Sequence, residues 1–195
     1  MSESKTQIFV ICHTVFHNAL RSGKFKKSFG IAPLNTWLRS RCILDVLIEV
    51  GSEMPSGTQI ACTSGKIFYN LSKKLAEEEV ADGVRRYLAL LESVIFSVKT
   101  ENINCKEENE GIIVIADTLS SRENYHPIVI TDMEKGKFNR AKEYYKKETG
   151  KDDPNIPFQI LNLEEAIIHL KATYPTQCEF VKQRGQKDKL YDSLL

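Results

Sequence analysis

The chain has 195 residues, of which 42% are hydrophobic, and a formal net charge of +1 at neutral pH. This length and composition predict one soluble domain with a full core, and no apolar run reaches the roughly 18 residues that a membrane-spanning helix needs. The five cysteines are odd in number and lack a CxxC pair, which argues against a disulfide framework and a zinc ribbon. Because the polar amino terminus also lacks the pattern of a signal peptide, we expect a cytoplasmic protein with no membrane partner.

The amino-terminal half begins with a strand and continues mainly with helices. The unbroken apolar run Ile8–Cys12 is typical of a central parallel strand that is buried on both faces. A long helix is expected from about residue 35, with Gly51 as its end. Arg41 and Asp45 on this helix are four positions apart and are predicted to pair. A weak strand at 58–63 and helices at 15–22, 66–76 and 80–95 complete this half.

Residues 107–135 carry the sharpest functional signal. Three carboxylates between residues 107 and 110 precede apolar side chains at helical spacing, although Ile112–Ile115 is also compatible with a strand. The β-branched run Ile128–Thr131 is a predicted strand that delivers Asp132 to its carboxyl end, where open α/β sheets bind their ligands. An acid-headed helix that leads into such a strand predicts half of a carboxylate metal site.

The order of the elements predicts the fold class. A strand at 96–100 precedes the 107–135 stretch, and a helix at 136–148, a strand at 158–161 and a helix at 163–171 follow it; Asn162 and Glu165 have the spacing of a capping box. Alternation of strands and helices favours an α/β fold with three layers, in which helices flank a mostly parallel central sheet of four to five strands. We expect one domain over residues 1–175 and an irregular, charged tail over residues 176–195.

Positive charge is concentrated near the amino terminus. Residues 21–41 contain six Lys or Arg side chains and no Asp or Glu, and aromatic residues are interleaved with them, as in surfaces that stack bases and neutralise phosphates. The alternative is an ordinary solvated surface. A Ser-Gly-Lys turn at 64–66 opens a predicted helix, whose backbone N–H groups are suited to an anion. The residues predicted to contact a nucleic acid are Lys24, Lys26, Lys27, Arg39 and Lys66.

Three segments of the chain resemble the PIN-domain family of metal-dependent nucleases. IFVICHTVFHNAL resembles the family's opening strand and helix, with His13 where the family has an aspartate. ENEGIIVIADTL resembles the acid-headed helix, with Glu110, or alternatively Glu108, at the acidic position. PIVITDMEKGKF resembles the strand that ends at an acid, here Asp132. The family has a further acid at the position that corresponds to residues 63–66, where this chain has none.

The resemblance implies a PIN-like fold and hydrolysis of RNA with Mg²⁺ or Mn²⁺, which prefer carboxylate oxygen ligands. It implies Glu110 and Asp132 as catalytic residues and metal ligands, with Asp117 and Glu134 as auxiliary ligands. His13 is a further candidate, because a histidine at a strand end can donate to a phosphate or act as an acid or base.

Three functions therefore remain open at the level of the sequence. The first is an endoribonuclease with a weakened acidic site. The second is an inactive PIN-like domain that binds or scaffolds RNA or a protein partner, including a second copy of itself. The third is a nucleotide-binding domain that uses the turn at 64–66.

Overall fold

A computed structural model describes residues 6–21, 30–53, 60–62, 73, 82–97, 108–121, 125–133, 135–150, 159–185 and 189–195. Within these ranges the chain forms five strands and seven helices. The strands are β1 (Thr6–Ile11), β2 (Ile60–Cys62), β3 (Ile95–Ser97), β4 (Tyr125–Ile130) and β5 (Gln159–Leu161). The helices are α1 (His13–Leu20), α2 (Leu34–Glu53), α3 (Asp82–Val94), α4 (Glu108–Ser120), α5 (Lys135–Thr149), α6 (Leu163–Thr173) and α7 (Pro175–Arg184).

The strands form one parallel sheet in the order β3-β2-β1-β4-β5. β1 occupies the centre because its apolar side chains point to both faces of the sheet, and Ile8, Phe9, Val10 and Ile11 are each at most 1% exposed. It pairs with β4 along its whole length, from Thr6 opposite Tyr125 to Ile11 opposite Ile130. The chain leaves β1 towards β2 on one side and returns as β4 on the other, so the strand order reverses between β1 and β4.

The predicted fold class needs correction, because helices account for most of the described residues. Only β1 and β4 have six residues, whereas β2, β3 and β5 have three each. The predicted three-layer architecture with a central sheet is therefore wrong in the weight that it gives to the sheet, because most of the strands are very short. The physical reason is that the apolar β-branched runs around residues 8–12 and 127–131 form the two long strands, whereas the similar run Ile112–Ile115 is helical. The chain is a mostly helical domain around a small parallel sheet.

The longest helix, α2, organises one group of helices, since it packs against α1, α3, α6 and α7. Trp37 links it to α1 by donating from Nε1 to the carbonyl oxygen of Ala19 at 3.1 Å. In a second group, α4 packs against β1, β4 and α5. The prediction that Gly51 ends α2 is wrong, because the helix continues to Glu53. No helix in the described part of the chain has the length and apolarity needed to cross a membrane.

The structure resolves two local questions that the sequence raised. Ile112–Ile115 is helical and lies inside α4, where these four side chains are buried. The capping box of α6 is confirmed, because Asn162 Oδ1 accepts from the Glu165 N–H at 2.9 Å and the Glu165 carboxylate accepts from the Asn162 N–H at 2.9 Å.

The irregular tail expected after residue 175 is wrong. Pro175 begins α7, because a proline in the first turn of a helix loses no backbone hydrogen bond. Cys178 and Val181 are buried on this helix, which packs against α2 and α6, and Tyr191 beyond it is only 3% exposed. Residues 175–195 thus contribute apolar side chains to the core in the part of this region that the structure describes.

Candidate functional site at the ends of β1 and β4

The carboxyl ends of β1 and β4 meet at one edge of the sheet. The hydrogen bonding continues one residue past β1, since the N–H of Cys12 donates to the carbonyl oxygen of Ile130, the last residue of β4, at 2.9 Å. β1 runs directly into α1 at His13, and β4 runs into Thr131 and Asp132. In sheets of this type the crevice beside the strand where the order reverses is the usual ligand site, so the first turns of α1 and the end of β4 define the candidate site.

The Asp132 carboxylate is held by two side chains of α1. Thr14 Oγ1 donates to Asp132 Oδ1, and Asn18 Nδ2 donates to Asp132 Oδ2. Thr14 and Asn18 are four residues apart, so they lie on the same face of the helix. Asp132 is half-buried, and its two hydrogen bonds fix the carboxylate in one orientation at the edge of the sheet.

Thr131 sets the direction in which the chain leaves β4. Its side chain is 4% exposed, and its Oγ1 accepts from the N–H of Met133 at 3.1 Å. The backbone N–H of Thr131 donates to the carbonyl oxygen of Leu161 in β5 at 3.0 Å. A threonine that bonds to the backbone two residues further on forms a local turn, and this turn presents Asp132 towards α1.

Cys12 and the two histidines of α1 complete the described surroundings of the site. Cys12 is fully buried, and this burial is the main cause that raises the pKa of its thiol, so the sulfur stays protonated at neutral pH. Thr14 Oγ1 lies 3.1 Å from Cys12 Sγ, and His13 Nδ1 lies 3.7 Å from the same sulfur. The rings of His13 and His17 are 6.0 Å apart in an edge-on arrangement.

Only part of the predicted site can be located. Glu110 belongs to the first turn of α4, and its side chain lies outside the described residues. Because α4 packs against β4 and leads into the start of that strand, its first turn points towards the edge that carries Asp132. Asp117 lies two turns further along α4, about 10 Å from Glu110 along the helix axis, and therefore away from that edge. The side chains of Glu134, Lys24, Lys26, Lys27 and Lys66 also lie outside the described residues.

Arg39 is the one predicted nucleic-acid contact that the structure describes. Its Nη2 donates to Glu164 Oε1 of α6 at 2.6 Å, and the side chains of Arg39 and Glu164 are 34% and 68% exposed. This exposed ion pair joins α2 to α6. An ion pair of this kind contributes little to stability, so Glu164 can exchange its position on the guanidinium with another anion.

The oxygen atoms of the edge are of the type that Mg²⁺ and Mn²⁺ prefer, but they carry little charge. Asp132 supplies a carboxylate, and Thr14 and Asn18 supply a hydroxyl and an amide oxygen. Across the described ranges no group of three or more His, Cys, Asp or Glu side chains is arranged to hold a metal ion. Glu110, whose side chain lies outside those residues, stays the predicted second ligand, because the first turn of α4 lies towards this edge.

Thr14, Asn18 and Thr131 were not among the residues predicted for the site. The spacing of Thr14 and Asn18 is the one signal that the sequence offered, since two polar side chains four apart follow directly after a buried strand. Scans against protein-family models, curated proteins and solved structures found no match to this chain. The interpretation of the site therefore depends on its own geometry.

Proposed function

We propose that this chain is a PIN-like domain that acts on RNA as a Mg²⁺- or Mn²⁺-dependent endoribonuclease with a weakened acidic site. The observation that carries the proposal is the position of Asp132, a carboxylate held by α1 at the point where the strand order reverses. The buried free thiols of Cys12, Cys42 and Cys178 support a reducing compartment, the cytoplasm, for this activity.

Asp132 and Glu110 are the proposed ligands of the divalent ion. A carboxylate oxygen has two lone pairs, so Asp132 can accept from Thr14 and Asn18 and still bind a cation. When bound, the ion would polarise a phosphate and lower the pKa of a water molecule. His13, which begins α1 and directly precedes Thr14, is the proposed donor to the phosphate or to the leaving oxygen.

The weakness of the site follows from its charge. Two carboxylates leave most of the positions around Mg²⁺ to water and to the substrate phosphate. Asp132 is also engaged by two neutral donors, which stabilise its charge without a metal. We therefore propose weak metal binding, with the basic side chains of residues 21–41 holding the phosphate backbone of the RNA.

The test compares cleavage of end-labelled single-stranded RNA by the wild-type chain, Asp132→Asn and Glu110→Gln, with Mn²⁺ at millimolar concentration. Both variants should lose cleavage, because each removes one negative ligand while it preserves the shape of the side chain. Glu179→Gln is the matched control, since Glu179 is an exposed acid on α7 and its variant should cleave like the wild type. Equal cleavage by the wild type and Asp132→Asn would refute the proposal.

A second candidate function is binding without catalysis, because Asp132 is the one carboxylate that the described residues place at this edge of the sheet. With both oxygens of Asp132 already accepting hydrogen bonds, the domain would bind or scaffold RNA, a protein partner or a second copy of itself without cleavage. This function requires that the wild type bind labelled RNA or self-associate without cleaving the RNA, and that Mn²⁺ leave its melting temperature unchanged. Cleavage that depends on Asp132 would exclude it.

A further inference from the structure

A second polar cluster, outside the candidate site, is centred on Asp45 of α2. Its Oδ1 accepts from Arg41 Nε at 3.1 Å and from the Tyr87 hydroxyl of α3 at 3.0 Å. Its Oδ2 accepts from the hydroxyl of Tyr191, which belongs to the segment 189–195. One carboxylate therefore joins three parts of the chain that are far apart in sequence.

The two tyrosines act as neutral donors in this cluster. Tyr87 and Tyr191 are 6% and 3% exposed, and burial is the main cause that raises the pKa of both phenols. The Arg41 guanidinium carbon lies 3.4 Å from the centre of the Tyr87 ring, which adds a cation–π contact to its bond with Asp45. The positive charge of Arg41 thus balances the negative charge of Asp45. The hydrogen bond from Tyr191 to Asp45 is an additional contact, which this charge balance does not require.

The cluster lines a cavity of about 350 Å³ between α2, α3, α7 and the segment 189–195. Polar and apolar side chains share its wall, and Leu90 is 52% exposed although it lines the cavity. Cavities of a few hundred Å³ with a small number of converging polar groups are the usual form of a ligand pocket. Its wall includes Arg41, Asp45, Tyr87, Leu90, Leu190 and Tyr191.

The segment 189–195 is a short turn whose buried polar contact is made by Tyr191. The N–H groups of Leu194 and Leu195 donate to the carbonyl oxygen of Tyr191, both at 2.9 Å. Two other described bonds join the segment to the rest of the chain. Lys171 Nζ donates to the Leu194 carbonyl oxygen at 3.2 Å in an exposed position, and the N–H of Leu190 donates to the carbonyl oxygen of Gly185 at a long 3.4 Å. Lys189 has a φ of 48°, a left-handed conformation that non-glycine residues rarely adopt.

We infer that residues 189–195 form a clasp, which the hydrogen bond from Tyr191 to Asp45 holds closed over the cavity. Opening breaks this bond and withdraws Tyr191 and Leu190 from the wall. Arg41 and Asp45 remain paired, so the open form is a recess with a balanced ion pair at its base and apolar side chains around it. The left-handed backbone at Lys189 favours opening, because release of the segment relieves it.

Hydrogen–deuterium exchange of Tyr191→Phe tests the clasp. The variant keeps the ring and removes the donor, so the amides of Leu194 and Leu195 should exchange about tenfold faster, as expected for the loss of a hydrogen bond to a charged group. The amides of β1 and β4 should exchange as in the wild type. Tyr174→Phe is the matched control, since Tyr174 is a half-buried tyrosine at the other end of α7.

Two results would overturn the inference. Unchanged exchange at Leu194 and Leu195 in Tyr191→Phe would mean that the bond to Asp45 does not hold the segment. Faster exchange spread equally over β1, β4 and the segment would mean that Tyr191 contributes to global stability and not to a local opening. The melting temperature and the far-ultraviolet circular dichroism of each variant verify that it is folded.

Discussion

Replacing Asp45 with alanine should destabilise the fold more than any surface substitution. The change removes the acceptor of three hydrogen bonds, from Arg41, Tyr87 and Tyr191. It also removes the carboxylate that Arg41 Nε binds in a largely buried position, because the side chains of Arg41 and Asp45 are only 19% and 22% exposed. The loss of one partner from such a pair is costly because the attraction between the two charges is strong where water is largely excluded.

The size of the effect follows from these exposures. Removing one partner of a fully buried ion pair costs about 3–5 kcal/mol, and a domain of this kind has a total stability of about 5–15 kcal/mol. Water reaches about a fifth of each side chain, so we expect the lower end of the range, about 3 kcal/mol. The exposed pair of Arg39 and Glu164 provides the contrast, since Glu164→Gln should cost no more than about 1 kcal/mol.

Urea unfolding followed by circular dichroism measures both variants. If the denaturant dependence stays that of the wild type, the shift in midpoint reports the change in the free energy of unfolding. Asp45→Asn separates the contribution of the hydrogen bonds from that of the ion pair, because it keeps an acceptor oxygen and removes the charge. Its free energy of unfolding should lie between those of the wild type and Asp45→Ala. A loss below about 1 kcal/mol for Asp45→Ala would refute the assignment of this cluster as a stabilising centre.

Two further predictions concern α6. Asn162→Ala removes the capping box with Glu165 and should cost about 1 kcal/mol, seen as a lower melting temperature, whereas Thr176→Ala on the exposed face of α7 should change it little. Burial first, and then the charge of His126, lowers the pKa of His169, so the folded state binds a proton less readily than the unfolded state. The free energy of unfolding should therefore fall as the pH decreases from about 6.5 through the lower pKa of the folded state. His169→Gln should reduce that fall in urea titrations at pH 7.5 and 5.5, and an identical fall in the variant would contradict the assignment.

Local patterns were the part of the fold that sequence reasoning predicted well. The pairing of Arg41 with Asp45 and the capping box at Asn162 are confirmed, since both depend on residues within one helical turn. The position of β1 was also predicted from local sequence, because its residues form one continuous apolar run. The boundaries that failed, at Gly51 and Pro175, depend on packing: α2 continues past its glycine along the neighbouring helices, and α7 follows a proline because its apolar side chains find a core.

The contacts of the candidate site could not be read from spacing. Asp132 was identified from the strand before it, but its partners Thr14 and Asn18 are more than a hundred positions away. Asp45 likewise has one partner at helical spacing and two, Tyr87 and Tyr191, that only the tertiary structure brings to it. The role of Glu110 as a second ligand stays a prediction, because the direction of α4 supports it and its side chain lies outside the described residues.

The central position of β1 has a consequence for biosynthesis. Its neighbour β4 lies more than a hundred residues further along the chain, so one edge of β1 stays uncovered until the ribosome has synthesised that later strand. During that interval an apolar, β-branched segment with an open edge is available to other nascent chains. Folding of this protein in the cell is therefore expected to depend on chaperones that bind the first strand, and its slow step is expected to be the late insertion of β4 beside it.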